Sequence, residues 1–171
     1  MTLSDIADGL EVTTEQRDRG VAAVDARPGE LRERLAEFAD DLPCDPASAA
    51  AILEGHTAGK SVGASAREAG VAPVTASKTL HLLGCEGVSP LTPRAHEVLR
   101  DWLSADLSRT EARELTGASE TEFALAAFVE THDPIPGSGG VVEGAFEDRG
   151  GATLAKRDEL GETYSSVGDL L

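Results

Sequence analysis

Between Ser61 and Gly84 the chain sets small residues and apolar anchors in an order that restricts how it can fold. Ala66 stands four residues before Gly70. Its small side chain lets two helices cross closely, and a glycine accepts the positive φ that stops a helix. Val71 then turns back toward a core, and Ala76, Leu80 and Leu83 continue an apolar stripe at helical spacing. Pro73, Val74, Ser77, Lys78 and His81 fall on the opposite face. The spacing predicts a helix, a three-residue turn and a second helix.

The pattern Ala-x-x-x-Gly-Val-x-x-x-Thr-Ala-x-x-x-Leu resembles the helix-turn-helix of DNA-binding proteins, with Val74 to Leu83 as the recognition helix. The resemblance spans about 20 residues and implies a fold unit rather than a particular target. On the outward face, Ser77, Lys78 and His81 are candidate donors to base edges or phosphates. Pro73 and Val74 lie beside them, and Thr75 and Lys60 are candidates to steady the DNA backbone. Double-stranded DNA is therefore the expected partner.

Helix signals repeat on both sides of this unit. Glu30 to Asp40 reads as a helix with Leu31, Leu35 and Phe38 on one face, ended by Leu42-Pro43. Asp45-Pro46 and Thr92-Pro93 each place an N-cap before a proline at the first helical position. Ser108-x-x-Glu111 and Ser119-x-x-Glu122 are capping boxes. Ala112, Leu115 and Gly117 repeat the helix, glycine turn, helix plan. The expected architecture is all-α: a bundle of two tri-helical helix-turn-helix-like units with a flexible acidic C-terminal tail. Its parts are an N-terminal arm and helix (1–45), the helix-turn-helix unit (46–87), a second tri-helical unit (88–136) and the tail (137–171). In the arm, Leu3, Ile6 and Leu10 suit a short docking helix, while Leu10 to Thr13 suit an extended strand-like arm. In the tail, Leu154 to Leu160 and Val167 to Leu171 are faint helical patches. Trp102 is expected in the core between the two units. The connector from Cys85 to Leu91 has no alternating strand pair, so a winged helix is not expected.

Charge sorts the units. The 171 residues carry 31 Asp and Glu against 15 Lys and Arg, a formal charge of −16. Between Pro46 and Gly87, however, Glu54, Glu68 and Glu86 balance Lys60, Arg67 and Lys78, so the excess lies outside that unit. A neutral island in an acidic chain suits a face that meets an anion or is buried. The acid excess, the few lysines and the Ala, Val and Gly in place of larger apolar residues point to a halophilic protein. As a whole the chain resembles a small, acidic, uncharacterised haloarchaeal family with a helix-turn-helix, over about residues 1 to 136. At 1 M salt the Debye length is only about 3 Å, so an acidic envelope there does not forbid DNA contact.

In the second unit, Glu120 and Glu122 would repel phosphates. The following Phe123 to Val129 is apolar on every side, which suits burial in the core or a homodimer interface. Cys44, His56, His81 and Cys85 match no usual zinc spacing, so no metal is expected. No phosphate-binding glycine loop, Gly-x-Ser-x-Gly or His-Glu-x-x-His motif is present, and neither catalytic residues nor cofactors are expected. Met1 to Val24 holds acids and no apolar segment, and no run reaches the roughly 18 apolar residues of a membrane span. A cytoplasmic protein with reduced Cys44 and Cys85, not bound to membrane, is the expectation. Two functions follow: a DNA-binding transcriptional regulator working at high salt, or a non-catalytic protein-protein adaptor using the same units as a scaffold.

Overall fold

The structure is a computed structural model that describes residues 27–151. The readings made for Leu3 to Thr13, Leu154 to Leu160 and Val167 to Leu171 lie outside the described residues. Within them the chain is all-helical, with no strand. The helices are α1 (Arg27–Ala36), α2 (Pro46–Thr57), α3 (Val62–Ala69), α4 (Pro73–Leu82), α5 (Pro93–Leu103), α6 (Arg109–Thr116), α7 (Glu120–Thr131) and α8 (139–151).

Local chemistry accounts for most of the boundaries. The Asp45 carboxylate accepts the amides of Ala47 and Ser48, with Pro46 behind it at the start of α2. Thr92 caps α5 through the amide of Ala95. Ser108 with Glu111, and Ser119 with Glu122, form complete capping boxes on α6 and α7. Gly70 ends α3 at φ 71°, ψ 26°, and Gly117 ends α6 at φ 67°, conformations in which a side chain would be strained. The first helix differs from the sequence reading. It starts at Arg27 and stops at Ala36, and the residues after it turn, with the Phe38 amide bonded to the Leu35 carbonyl.

The buried residues form two clusters. The first joins Leu35 of α1, Ile52 and Leu53 of α2, Ala66 of α3, and Ala76 and Leu80 of α4, all essentially without exposure. Val141 of α8 completes it, and Ile135, Val142 and Ala145 pack against it. The second takes Leu99 from α5, Ala112 from α6, and Phe123 and Ala126 from α7. Val88 packs on the first cluster and Leu91 on the second. The two are joined where α7 lies against α4.

Two expectations change. The sequence reads as a flexible tail from Gly137 onward, but over the described part residues 139–151 are helical, Val141 and Ser138 are buried, and the Arg34 guanidinium donates to the Gly140 carbonyl at 2.7 Å. The anchoring partners are distant in sequence, 106 residues for Arg34 with Gly140 and 56 for Leu82 with Ser138, so no local pattern announces them. Trp102 is not between the units. It sits half-buried on the second cluster, its ring 5.1 Å from that of Phe123, with the Arg109 guanidinium over it. The buried aromatic anchor is Phe123. Beside the buried Ala66, α2 and α3 also approach closely at Gly55 and Ser65. A Cβ on Gly55 would lie 2.4 Å from Ser65 Oγ and 2.9 Å from its Cβ.

Two outcomes follow. Gly55→Ala should be destabilising by up to about 2 kcal/mol, since overpacking costs about 1–3 kcal/mol and helix propensity returns roughly 1. Adding Ser65→Gly should recover part of that loss. Strictly additive losses in denaturant titrations would show that the helices do not meet there. Removing residues 137–171 should lower the unfolding free energy by about 2 kcal/mol or more, because burying one valine alone is worth about 1.5–3 kcal/mol. An unchanged melting curve would overturn the docking of α8.

Candidate nucleic-acid interface and the groove beside it

The residues picked from sequence as DNA contacts separate into two sets along α4. At its start, Ala72 and Pro73 are exposed, and Val74 and Thr75 are half-buried. Ala72 is the N-cap and offers no side-chain bond, so the first amides of α4 have no side-chain partner there. The exposed Arg67 stands in the last turn of α3, just before the turn into α4. Lys60 is nearby in the chain but holds Glu68 at 2.7 Å, an exposed pair that contributes little to stability.

The second half of α4 faces α7 instead. Ser77 is buried, its hydroxyl donating to the Pro73 carbonyl at 3.1 Å. The Lys78 ammonium lies 4.5 Å from the centroid of the Phe128 ring. His81 Nε2 donates to the His132 carbonyl at 2.6 Å, and the His132 ring stacks on Phe128 with centroids 4.0 Å apart. Phe128 is therefore gripped by α4 on one side and by the end of its own helix on the other. Sequence spacing placed Ser77, Lys78 and His81 on a polar face. It carried no sign that an apolar helix would cover that face, beyond the all-round apolarity of Phe123 to Val129.

Below this contact is an open groove of about 540 Å³. Asp41, Leu42 and Pro43 form one wall after α1, and Lys78 and Leu82 of α4 form a second. Phe128 and residues 132–136, leading into α8, close the third. The linker is pinned by the Ile135 amide, which donates to the Leu82 carbonyl at 2.8 Å, and by Ser138 Oγ, which reaches the same carbonyl at 3.3 Å.

The cysteines and histidines stay apart in role. Burial raises the Cys44 thiol above its ordinary value and pushes Cys85 up to about 11, so both remain protonated near neutral pH. Cys44 Sγ lies 3.4 Å from Thr79 Oγ1, while His81 is engaged with His132. Among the described residues no group of three or more His, Cys, Asp or Glu side chains is placed to hold a metal ion, and no helix is long and apolar enough to cross a membrane.

Ser89, His96 and Glu130 form a separate polar cluster between the connector, α5 and α7. Ser89 Oγ is 2.8 Å from His96 Nε2, and Arg100 Nε holds Glu130 at 2.6 Å. The order is that of a nucleophile, base and orienting acid. Yet His96 Nδ1 is 3.6 Å from Glu130, beyond hydrogen-bond reach, and Arg100 already engages that carboxylate. The cluster clamps α5 to α7.

The model of a family of unknown function, DUF7858, matches residues 1–169. The chain belongs to that family. No curated protein and no solved structure matches the DUF7858 chain.

The capping box of α7 gives this region a pH dependence. The Ser119 hydroxyl and amide, both bonded to Glu122, hold that carboxyl below its ordinary value of 4.5. A carboxyl depressed in the folded state stabilises fully above its unfolded value and loses that contribution as pH falls through the folded one. The melting-temperature gap between the natural chain and Ser119→Ala should therefore narrow as pH drops from 6 to 3. A gap that stays constant would show that the ionised box contributes nothing.

Proposed function

We propose that this DUF7858 chain is a helix-turn-helix protein that binds double-stranded DNA through the start of α4 and regulates transcription at high salt. The observation that carries the reading is the αL turn at Gly70, which leads into an α4 whose start has Pro73 exposed, Val74 and Thr75 half-buried, and its first amides without a side-chain cap. Recognition helices commonly address the major groove with their N-terminal residues, and helix N-termini suit phosphate oxygens. The contact set in this reading is Pro73, Val74 and Thr75, with Arg67 and Lys60 toward the backbone. Lys78 and His81 drop out of it, since they serve the α4–α7 contact, and Ser77 drops out because it is buried with its hydroxyl on the Pro73 carbonyl. The charge balance between Pro46 and Gly87 supports the choice of face, because the remainder of the chain holds the whole excess of −16.

The same excess supports a halophilic, cytoplasmic setting, where screening within about 3 Å at 1 M salt leaves close fit to decide binding. A homodimer is the working form in this reading, since paired units meet half-sites about 34 Å apart on one face of the duplex.

Selection from a random-sequence duplex pool at 0.1–3 M KCl, followed by anisotropy titration of the enriched duplex, tests it. Thr75→Glu and Arg67→Glu should each weaken binding tenfold or more, about 1.4 kcal/mol. Lys78→Glu should change it less than threefold. Failure to enrich any duplex at any salt would remove the DNA reading and turn attention to a non-catalytic adaptor using the same helices as a scaffold.

A further inference from the structure

The groove between α4, α7 and the 133–136 linker has the size of a small-molecule site, about 540 Å³ where such sites span roughly 300–1,000 Å³. Its body is apolar, made by Leu42, Leu82, Ile135 and the Phe128 ring. Into it comes one cation. Lys78 is half-buried, and its ammonium meets the face of Phe128 while no carboxylate in the described residues pairs with it. Every other lysine or arginine with a close partner on the helices α3 to α7 pairs with an acid: Lys60 with Glu68, Arg100 with Glu130, and Arg109 and Arg113 with Glu120.

A partly desolvated ammonium beside apolar walls is complementary to a carboxylate carried on an apolar body. Asp41 and Asp133 also border the groove, but both are exposed, where water and salt screen them more than they screen Lys78. We propose that this groove binds a small monocarboxylate with an aryl-alkyl or acyl body. The carboxylate pairs with Lys78, and the body lies against Leu42, Leu82 and Ile135. The site is distinct from the start of α4, so it does not depend on DNA binding.

The test uses the full chain, isotopically labelled, and three probes of one shape: 5-phenylvalerate, 5-phenylpentan-1-ol and 5-phenylpentylamine. Chemical shifts of the Leu42, Leu82 and Ile135 methyls and of the Lys78 side chain report binding. The acid should bind at least tenfold more tightly than either the alcohol or the amine. Lys78→Met, checked for an unchanged circular dichroism melt, should erase that preference, and Lys78→Arg should keep most of it. If Lys78→Met melts early, the pH series of the natural chain with the acid still decides, since binding must fall as the probe is protonated below about pH 5. Equal affinity for all three probes, preference for the amine, or no shift at millimolar acid would overturn the proposal. So would the same methyl shifts on concentrating the protein alone, which would mark the groove as a contact between two copies.

Discussion

The stack in which Phe128 lies between Lys78 and His132 holds the two halves of the molecule together. Each half has its own buried cluster, one around Ile52, Leu80 and Val141 and the other around Leu99 and Phe123. What joins them is α7 laid against α4, through a cation on a ring face, a stacked imidazole and the hydrogen bond from His81 to the His132 carbonyl. A cation on an aromatic face is worth about 0.5–2 kcal/mol. The junction is therefore modest in energy and particular in geometry, and it decides which half of α4 faces outward.

That junction also explains where sequence reading succeeds. The caps at Asp45, Thr92, Ser108 and Ser119 are local devices, complete within four residues, so residue types alone reveal them. The αL positions of Gly70 and Gly117 are legible for the same reason. The burial of Ala66, Ala76, Leu80 and Leu83 follows from the 3.6-residue period. The apolar Phe123 to Val129 stretch announces burial on every side; the second cluster and α4 cover much of it, while Ala124 is exposed.

The rest depends on contacts distant in sequence. His81 looks like a surface donor because nothing near it in the chain names the end of α7 as its cover, and Ser77 because nothing near it announces its burial. Residues 139–151 look like a tail because Gly139, Gly140, Gly144, Gly150 and Gly151 weaken the helical signal. Val141 offsets this by entering the first cluster, and Gly144 lies so close to Arg34 that a Cβ there would come within 2.8 Å of its guanidinium. The glycine that depresses propensity is also what admits the α1 arginine. Trp102 misleads in the opposite sense: large aromatics are assigned to cores by volume, yet an amphipathic ring can sit at a rim under an arginine.

These long-range contacts converge on the Leu82 carbonyl. As one of the last groups of α4 it would be left without an intrahelical partner, and it receives both the Ile135 amide and the Ser138 hydroxyl instead. The end of α4, the far wall of the groove and the start of α8 are thereby one hydrogen-bonded unit. Arg34 extends it to α1 through Gly140. A molecule that widened the groove would have to move either the linker, at the cost of those bonds, or α7, at the cost of the Phe128 stack. The linker is tied to a buried serine and a buried valine, whereas the stack rests on half-buried and exposed groups. The weaker side is α7, so any adjustment in the groove falls first on the contact that covers the second half of α4.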